Sequence, residues 1–293
     1  MPLAILAYHS HHVVGPGYDA NDHVALARDL DALTDGGWRI VPLDGLVRAH
    51  AQGTDARLVA LTFDDGPVYD VADVDHPCYG RQRGFANAMR DFAARRPGGQ
   101  PGLHATSFVI ASPEARATME AHADPAYTWL GPGALDQTWW NPAIDSGLVA
   151  IANHSWDHLH PALAEVAHGQ DARGDFARVT SVADADRQVR AAARYLAAAT
   201  HGRAAPYFAY PFGHHNDFLA GEYLPALGAS VCAAAVTTEP SQNASARKSL
   251  RIAPAPESAP PPPPSVSPFG VNTRRETMRW RLSVVITCSA LRT

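Results

Sequence analysis

The chain has 293 residues, 46% of them hydrophobic and 18% charged, which suits one large α/β domain with its own core and excludes a disulfide-stapled miniprotein. Residues 241–293 hold eight Arg/Lys against two Glu, a balance of +6 within a formal net charge of −5, so residues 1–240 carry −11 and argue against a nucleic-acid partner. No apolar run approaches the roughly 18 residues of a membrane span. Met1 to Ala7 lacks a basic region and a cleavage site, so the expectation is a soluble chain, cytoplasmic by default and extracytoplasmic if a leader is missing. Cys78, Cys232 and Cys288 are too few and too scattered for a disulfide framework or a cysteine-rich metal site. The 15 histidines matter more, because histidine is the commonest metal ligand and acid–base residue.

In chain order, Leu3 to Tyr8 is a continuous apolar run that predicts a strand buried on both faces. It ends in His9-Ser10-His11-His12, of which His9 is a candidate to line a pocket, while His11 and His12 read as a polar strand cap. His23 to Leu33 predicts a helix, with Leu26, Leu30 and Leu33 at helical spacing. Leu58 to Phe63 is a second strand and runs straight into Asp64-Asp65-Gly66-Pro67. Gly-Pro stops the strand, and two adjacent carboxylates repel unless a metal or a shared proton separates their roles. A solvated Asp-Asp-Gly turn is the alternative at that point. Val68 to Arg83 is polar and turn-rich and reads as a lid or binding loop.

Ala105 to Ile110 and Leu148 to Ala152 are the next strands, and the second leads into Asn153-His154-Ser155-Trp156-Asp157-His158. His154 and His158 are four apart, so one helical turn would point both imidazoles the same way, toward one ion. A helix N-terminus with two solvated or core histidines is the alternative, but once the aspartates are considered, two His, one Asp and an open position fit a hydrolytic metal site; Asp157 and His160 read as outer groups. The same two-His-one-carboxylate set also describes a non-heme iron site, but that chemistry expects a β-rich chain. Asp184 to Thr200 predicts a helix, and Tyr207 to Tyr210 and Val231 to Thr237 two more strands. The alternation of strand and helix implies a mostly parallel sheet or barrel. From Ser241 the composition changes, with eight prolines in the 15 residues from Pro254 to Pro268, so the chain divides into a 1–240 body and a 241–293 tail that is disordered or polyproline.

The pentad Thr62-Phe63-Asp64-Asp65-Gly66 and the later His154-Ser155-x-x-His158 together resemble the first two motifs of the polysaccharide deacetylases with the NodB homology domain, carbohydrate esterase family four. The segment Tyr207-Phe208-Ala209-Tyr210-Pro211-Phe212-Gly213 resembles the third. The resemblance implies a distorted (β/α) barrel of the α/β class, with Asp64 as general base and Asp65, His154 and His158 as ligands of a divalent metal, usually zinc, with cobalt, nickel and manganese as alternatives. It implies that the Phe212 N–H helps bind an oxyanion, that Tyr210 and Pro211 shape the substrate site, and that the partner is an acetylated glycan whose N-acetyl group is hydrolysed. Trp156, between the two histidines, is the tryptophan expected to meet a sugar ring; Trp129, Trp139 and Trp140 read as core. His214 and His215 read as a surface loop.

Two departures stand beside the resemblance. The arginine that orients the base in many members aligns with Ala209, which leaves Arg203 as a weak substitute. Residues 241–293 contain no histidine, so the family's terminal Leu-x-His acid is missing and a frameshifted ending is one explanation. An amidase acting on a small non-sugar amide and a catalytically impaired carbohydrate-binding protein therefore remain as alternatives. The sequence does not fix the oligomeric state.

Overall fold

A computed structural model describes residues 3–122, 130–166 and 172–237. The 241–293 tail and Trp129 lie outside the described residues. Six strands form one continuous parallel path: β1 (Leu3–Tyr8), β3 (Leu58–Phe63), β6 (Ala105–Val109), β7 (Val149–Asn153), β8 (Tyr207–Ala209) and β9 (Ala234–Val236). A two-residue strand, β2 (Arg39–Ile40), also pairs with the start of β3. Among the described residues no pairing joins β1 to β9, so the parallel α/β sheet is an open, distorted barrel.

The apolar runs become strands because both of their faces are covered. All six residues of β3 and all five of β6 are buried, as a parallel sheet under helices requires. The helix predicted from His23 forms as α1 (Asp22–Asp35), capped by the Asn21 side chain, and Leu26, Leu30 and Leu33 are its buried face. The helix predicted over Asp184 to Thr200 forms in three parts. A short helix, Val182–Ala185, continues into a π-helical turn, Asp186–Arg190, and then into Ala191–Ala199. Val68 to Arg83 is more ordered than a lid: β4 (Val74–His76) and β5 (Gly80–Gln82) make an antiparallel hairpin. Asp73 fastens its base, accepting from the Gly84 N–H, the Asn87 amide and the Arg81 and Arg83 guanidiniums. No helix among the described residues is long and apolar enough to cross a membrane.

One glycine decides how the site can assemble. The Asp65-Gly66 turn leaves β3 and lies across the end of β6, the strand between β3 and β7. A Cβ on Gly66 would sit 2.6 Å from Val109 Cγ1, and its φ of +75° is a left-handed value. Gly66→Ala is therefore expected to cost roughly 2–5 kcal/mol of stability through strain and overpacking, measured by denaturant unfolding. A variant as stable as the parent would mean that the turn can pass elsewhere.

Candidate active site

Every expected site residue sits at the carboxyl end of a strand, where parallel α/β folds gather functional groups. β1 delivers His9 to His12, β3 delivers Asp64 and Asp65, β7 delivers His154 and His158, and β8 delivers Tyr210 to Gly213. Asp65 Oδ1 lies 3.6 Å from His154 Nε2 and 3.4 Å from His158 Nε2. One ligand atom from each of these three buried residues falls within 4.8 Å of the others, the geometry of a mononuclear metal site.

The two histidines do not share a helical turn, as their spacing suggested. β7 ends at Asn153, and the following loop takes positive φ at Ser155 (71°), His158 (61°) and Leu159 (45°). Its odd-numbered residues fold it. The Asn153 carboxamide oxygen accepts from the Ser155 N–H at 2.8 Å, Ser155 Oγ from the His158 N–H at 2.9 Å, and Asp157 Oδ1 from the Leu159 N–H at 2.9 Å. Short polar side chains favour such local backbone bonds over helix. The π-helical turn holds the loop from outside, since the Gln188 amide donates to Asp157 Oδ1 and the Asn153 amide donates to the Val189 carbonyl, both at 2.9 Å. Asp157 is thus a buried loop staple.

The histidine orientation is set from the other side as well. His154 Nδ1 donates to the Ala209 carbonyl at 3.0 Å, which fixes the tautomer and leaves Nε2 with a lone pair toward Asp65. Position 209, where the resemblance placed a missing arginine, therefore acts through its backbone. Arg203 does not take that arginine's place. It precedes β8, at the opposite end of the sheet from the site, and its guanidinium binds Asp145 and Asn141.

Backbone strain concentrates here. Of the six non-glycine residues with positive φ among those described, Asp65, Ser155, His158, Leu159 and Phe212 surround the site, and His201 alone lies elsewhere. Strain of this kind persists where surrounding structure over-determines it. Phe212 (φ 59°) sets its ring edge-on to His158, centroids 4.4 Å apart. Tyr210 and Pro211 are buried beneath that turn, Tyr210 against Phe208 and His215. Trp156 is half-buried with its ring edge-on to Tyr195, and Trp139 and Trp140 are buried.

His9 stands at the site, its Nε2 3.9 Å from Asp64 Oδ2, with a third of its side chain exposed. His11 does more than cap a strand, since its partly buried ring puts Nε2 3.8 Å from Asp65 Oδ2, the oxygen turned away from His154 and His158. His12 is the cap, with Nδ1 2.8 Å from Asp22. Sequence reasoning undervalued His11; its place two residues after His9 on the same strand end was the available signal. It also missed Asp70, a fully buried carboxylate close to the site.

Burial and neighbours push the adjacent carboxylates apart. Burial raises the Asp64 carboxyl above its usual range, against the pull of His154 and His9. Burial also raises Asp65, but His158, His11, His9 and His154 outweigh it and hold that carboxyl well below the usual range. Burial drives the His158 imidazole well below its ordinary value and His11 down to about 4, so both rings are neutral near pH 7. An anionic carboxylate beside neutral imidazoles is the donor set a divalent cation needs. Among the described residues the buried Asp65 Oδ1 has no hydrogen-bond partner, a costly state that a cation would relieve.

No curated protein sequence matches the chain. Among solved structures, a polysaccharide deacetylase from Bacillus cereus aligns with 16% identity and a TM-score of 0.49 over 82% of this chain and 58% of its own. The Streptococcus pyogenes deacetylase PplD, solved in complex with acetate, aligns with 18% identity and a TM-score of 0.47 over 74% and 76%. A de-N-acetylase from Aggregatibacter actinomycetemcomitans aligns with 16% identity and a TM-score of 0.47 over 80% and 86%. The present chain thus spans little more than half the length of the Bacillus cereus protein. Residues 99–228, which carry His154, His158 and the Phe212 turn, match the family model of the polysaccharide deacetylases.

Proposed function

We propose that the protein is a metal-dependent hydrolase that removes N-acetyl groups from an acetylated amino sugar or polysaccharide. The observation that carries this reading is the buried Asp65–His154–His158 cluster with Asp64 beside it, in a chain whose residues 99–228 match the polysaccharide deacetylase family model. Asp65 Oδ1 and the Nε2 atoms of His154 and His158 would hold the cation, zinc being the best match to two imidazoles and a carboxylate. When bound there, such an ion supplies Lewis-acid chemistry, acidifying water and polarising the amide carbonyl.

The remaining steps belong to side chains and backbone. Asp64 is the base, its carboxylate adjacent to the ligand Asp65 and placed to take the proton of the attacking water. The Phe212 N–H, in its strained turn, donates to the oxyanion of the tetrahedral intermediate. His9 faces Asp64 from an exposed edge of the pocket and delivers a proton to the departing amine. The products are acetate and a free amino sugar. The test is acetate release from acetylated chitooligosaccharides and other N-acetylated glycans, with metal analysis, before and after chelation. Chelator-sensitive release with about one ion per chain supports the reading. Bound metal without release from any glycan would move the chemistry to a small non-sugar amide.

A further inference from the structure

The segment that supplies His9 and His11 is irregular backbone, and irregular backbone needs anchors to hold two side chains in place. His9, Ser10 and His12 each have one. The His9 N–H donates to Asp22 Oδ2 at 2.8 Å, and His12 Nδ1 meets Asp22 Oδ1 at 2.8 Å. The Ser10 carbonyl lies 2.8 Å from the His23 ring. The Ser10 hydroxyl, between the two histidines, donates to Asp70 Oδ1 at 2.7 Å. The other oxygen of Asp70 accepts from Ser107 Oγ of β6 at 2.6 Å. Asp70 is fully buried and lies five residues beyond Asp65 on the loop that follows the carboxylate pair. One carboxyl group therefore ties three parts of the site's floor: the end of β1, the loop after β3, and β6.

We infer that Asp70 is a positioning residue, which through Ser10 holds His9 against Asp64 and His11 against Asp65 while Ser107 fixes it to the sheet. The inference rests on the proposed deacetylase reading for its effect on rate, but the clamp itself has consequences that need no substrate. Burial pushes the Asp70 carboxyl up to about 8, with the two hydroxyls pulling it down, so near neutrality it adds little negative charge beside Asp64 and Asp65. When protonated, Asp70 donates its own proton to one of the two serine hydroxyls and accepts from the other, and a neutral carboxyl held at both oxygens suits a clamp better than a ligand.

The test uses the full chain loaded with zinc, and the variants Asp70→Ala, Asp70→Asn and Ser10→Ala. Asn can accept from Ser10 and donate to Ser107, so Asp70→Asn should keep the rate within about threefold, whereas Asp70→Ala should lower kcat roughly ten- to a hundredfold with little change in KM, as misplacement of acting groups does. Ser10→Ala should fall between them and carries the test if Asp70→Ala does not fold. Because Asp70 acts through the histidines, its penalty should largely vanish in a His9→Gln background, a non-additivity that general loss of stability would not produce. The second readout is the histidine ring NMR spectrum, with His9 and His11 assigned from His9→Gln and His11→Gln. Both ring signals should shift in Asp70→Ala and Ser10→Ala and return in Asp70→Asn. Unmoved ring signals, or equal penalties with and without His9, overturn the clamp. If the unmodified protein releases no acetate from any glycan, the deacetylase reading fails, and the ring signals still decide the clamp.

Discussion

Asp64→Asn is expected to lower the rate of acetate release by roughly 10²–10⁴-fold, the range that a positioned base contributes, while zinc still binds. The two halves of that expectation come from different atoms. The metal cluster uses Asp65, whose Oδ1 faces both imidazoles, and Asp64 is not part of it. Asp64 faces His9, and its own backbone N–H is already spent on the Tyr8 carbonyl, so Asn at this position keeps shape and fold. What it loses is the acceptor for a proton. The measurement pairs initial rates of acetate release with zinc titration monitored by competition with a chromophoric chelator. Loss of rate together with loss of zinc would make Asp64 a ligand, and a full rate with zinc bound would remove it from the mechanism.

Much of this site was legible because its residues stand beside strands that advertise themselves. Leu58 to Phe63 is apolar at every position but Thr62, and a run of that kind is best buried on both faces, so the carboxylates that follow were expected at a strand end. The pairing of His154 with His158 was legible in the sequence for a different reason from the one that realises it. Spacing of four suggested a helical turn, whereas the structure uses a loop that Asn153, Ser155 and Asp157 fold through their own side chains. Those three residues are good loop formers, and their alternation with His154 and His158 was the neglected signal. Asp70 was illegible because its meaning is its partners: Ser10 and Ser107 are 60 and 37 residues away, and only the sheet order brings them to one carboxyl. The short β2 and the β4–β5 hairpin escaped because two- and three-residue strands carry no periodicity to read.

Asp65→Asn should remove most of the stabilisation that zinc gives the folded chain. A ligand that binds only the folded state at about a thousand times its Kd adds about 4 kcal/mol. For a chain of this size, that raises the melting temperature by roughly 10 °C. The shift depends on Asp65 for three physical reasons. Its carboxylate supplies the only negative charge in the three-residue cluster. His11 faces the far oxygen, Oδ2, so Oδ1 remains directed at His154 and His158. Among the described residues that buried Oδ1 has no hydrogen-bond donor, so no competing hydrogen bond among them must break when a cation arrives. Asparagine keeps the volume but removes the charge, and the zinc-dependent shift should shrink to about 2 °C or less, the size of a small change in ΔG. His154→Ala should act in the same direction, and it also frees the Ala209 carbonyl that orients the ring. Melting curves with and without zinc, run after exhaustive chelation, check both variants without any substrate. An undiminished zinc shift in both would place the cation somewhere other than among Asp65, His154 and His158.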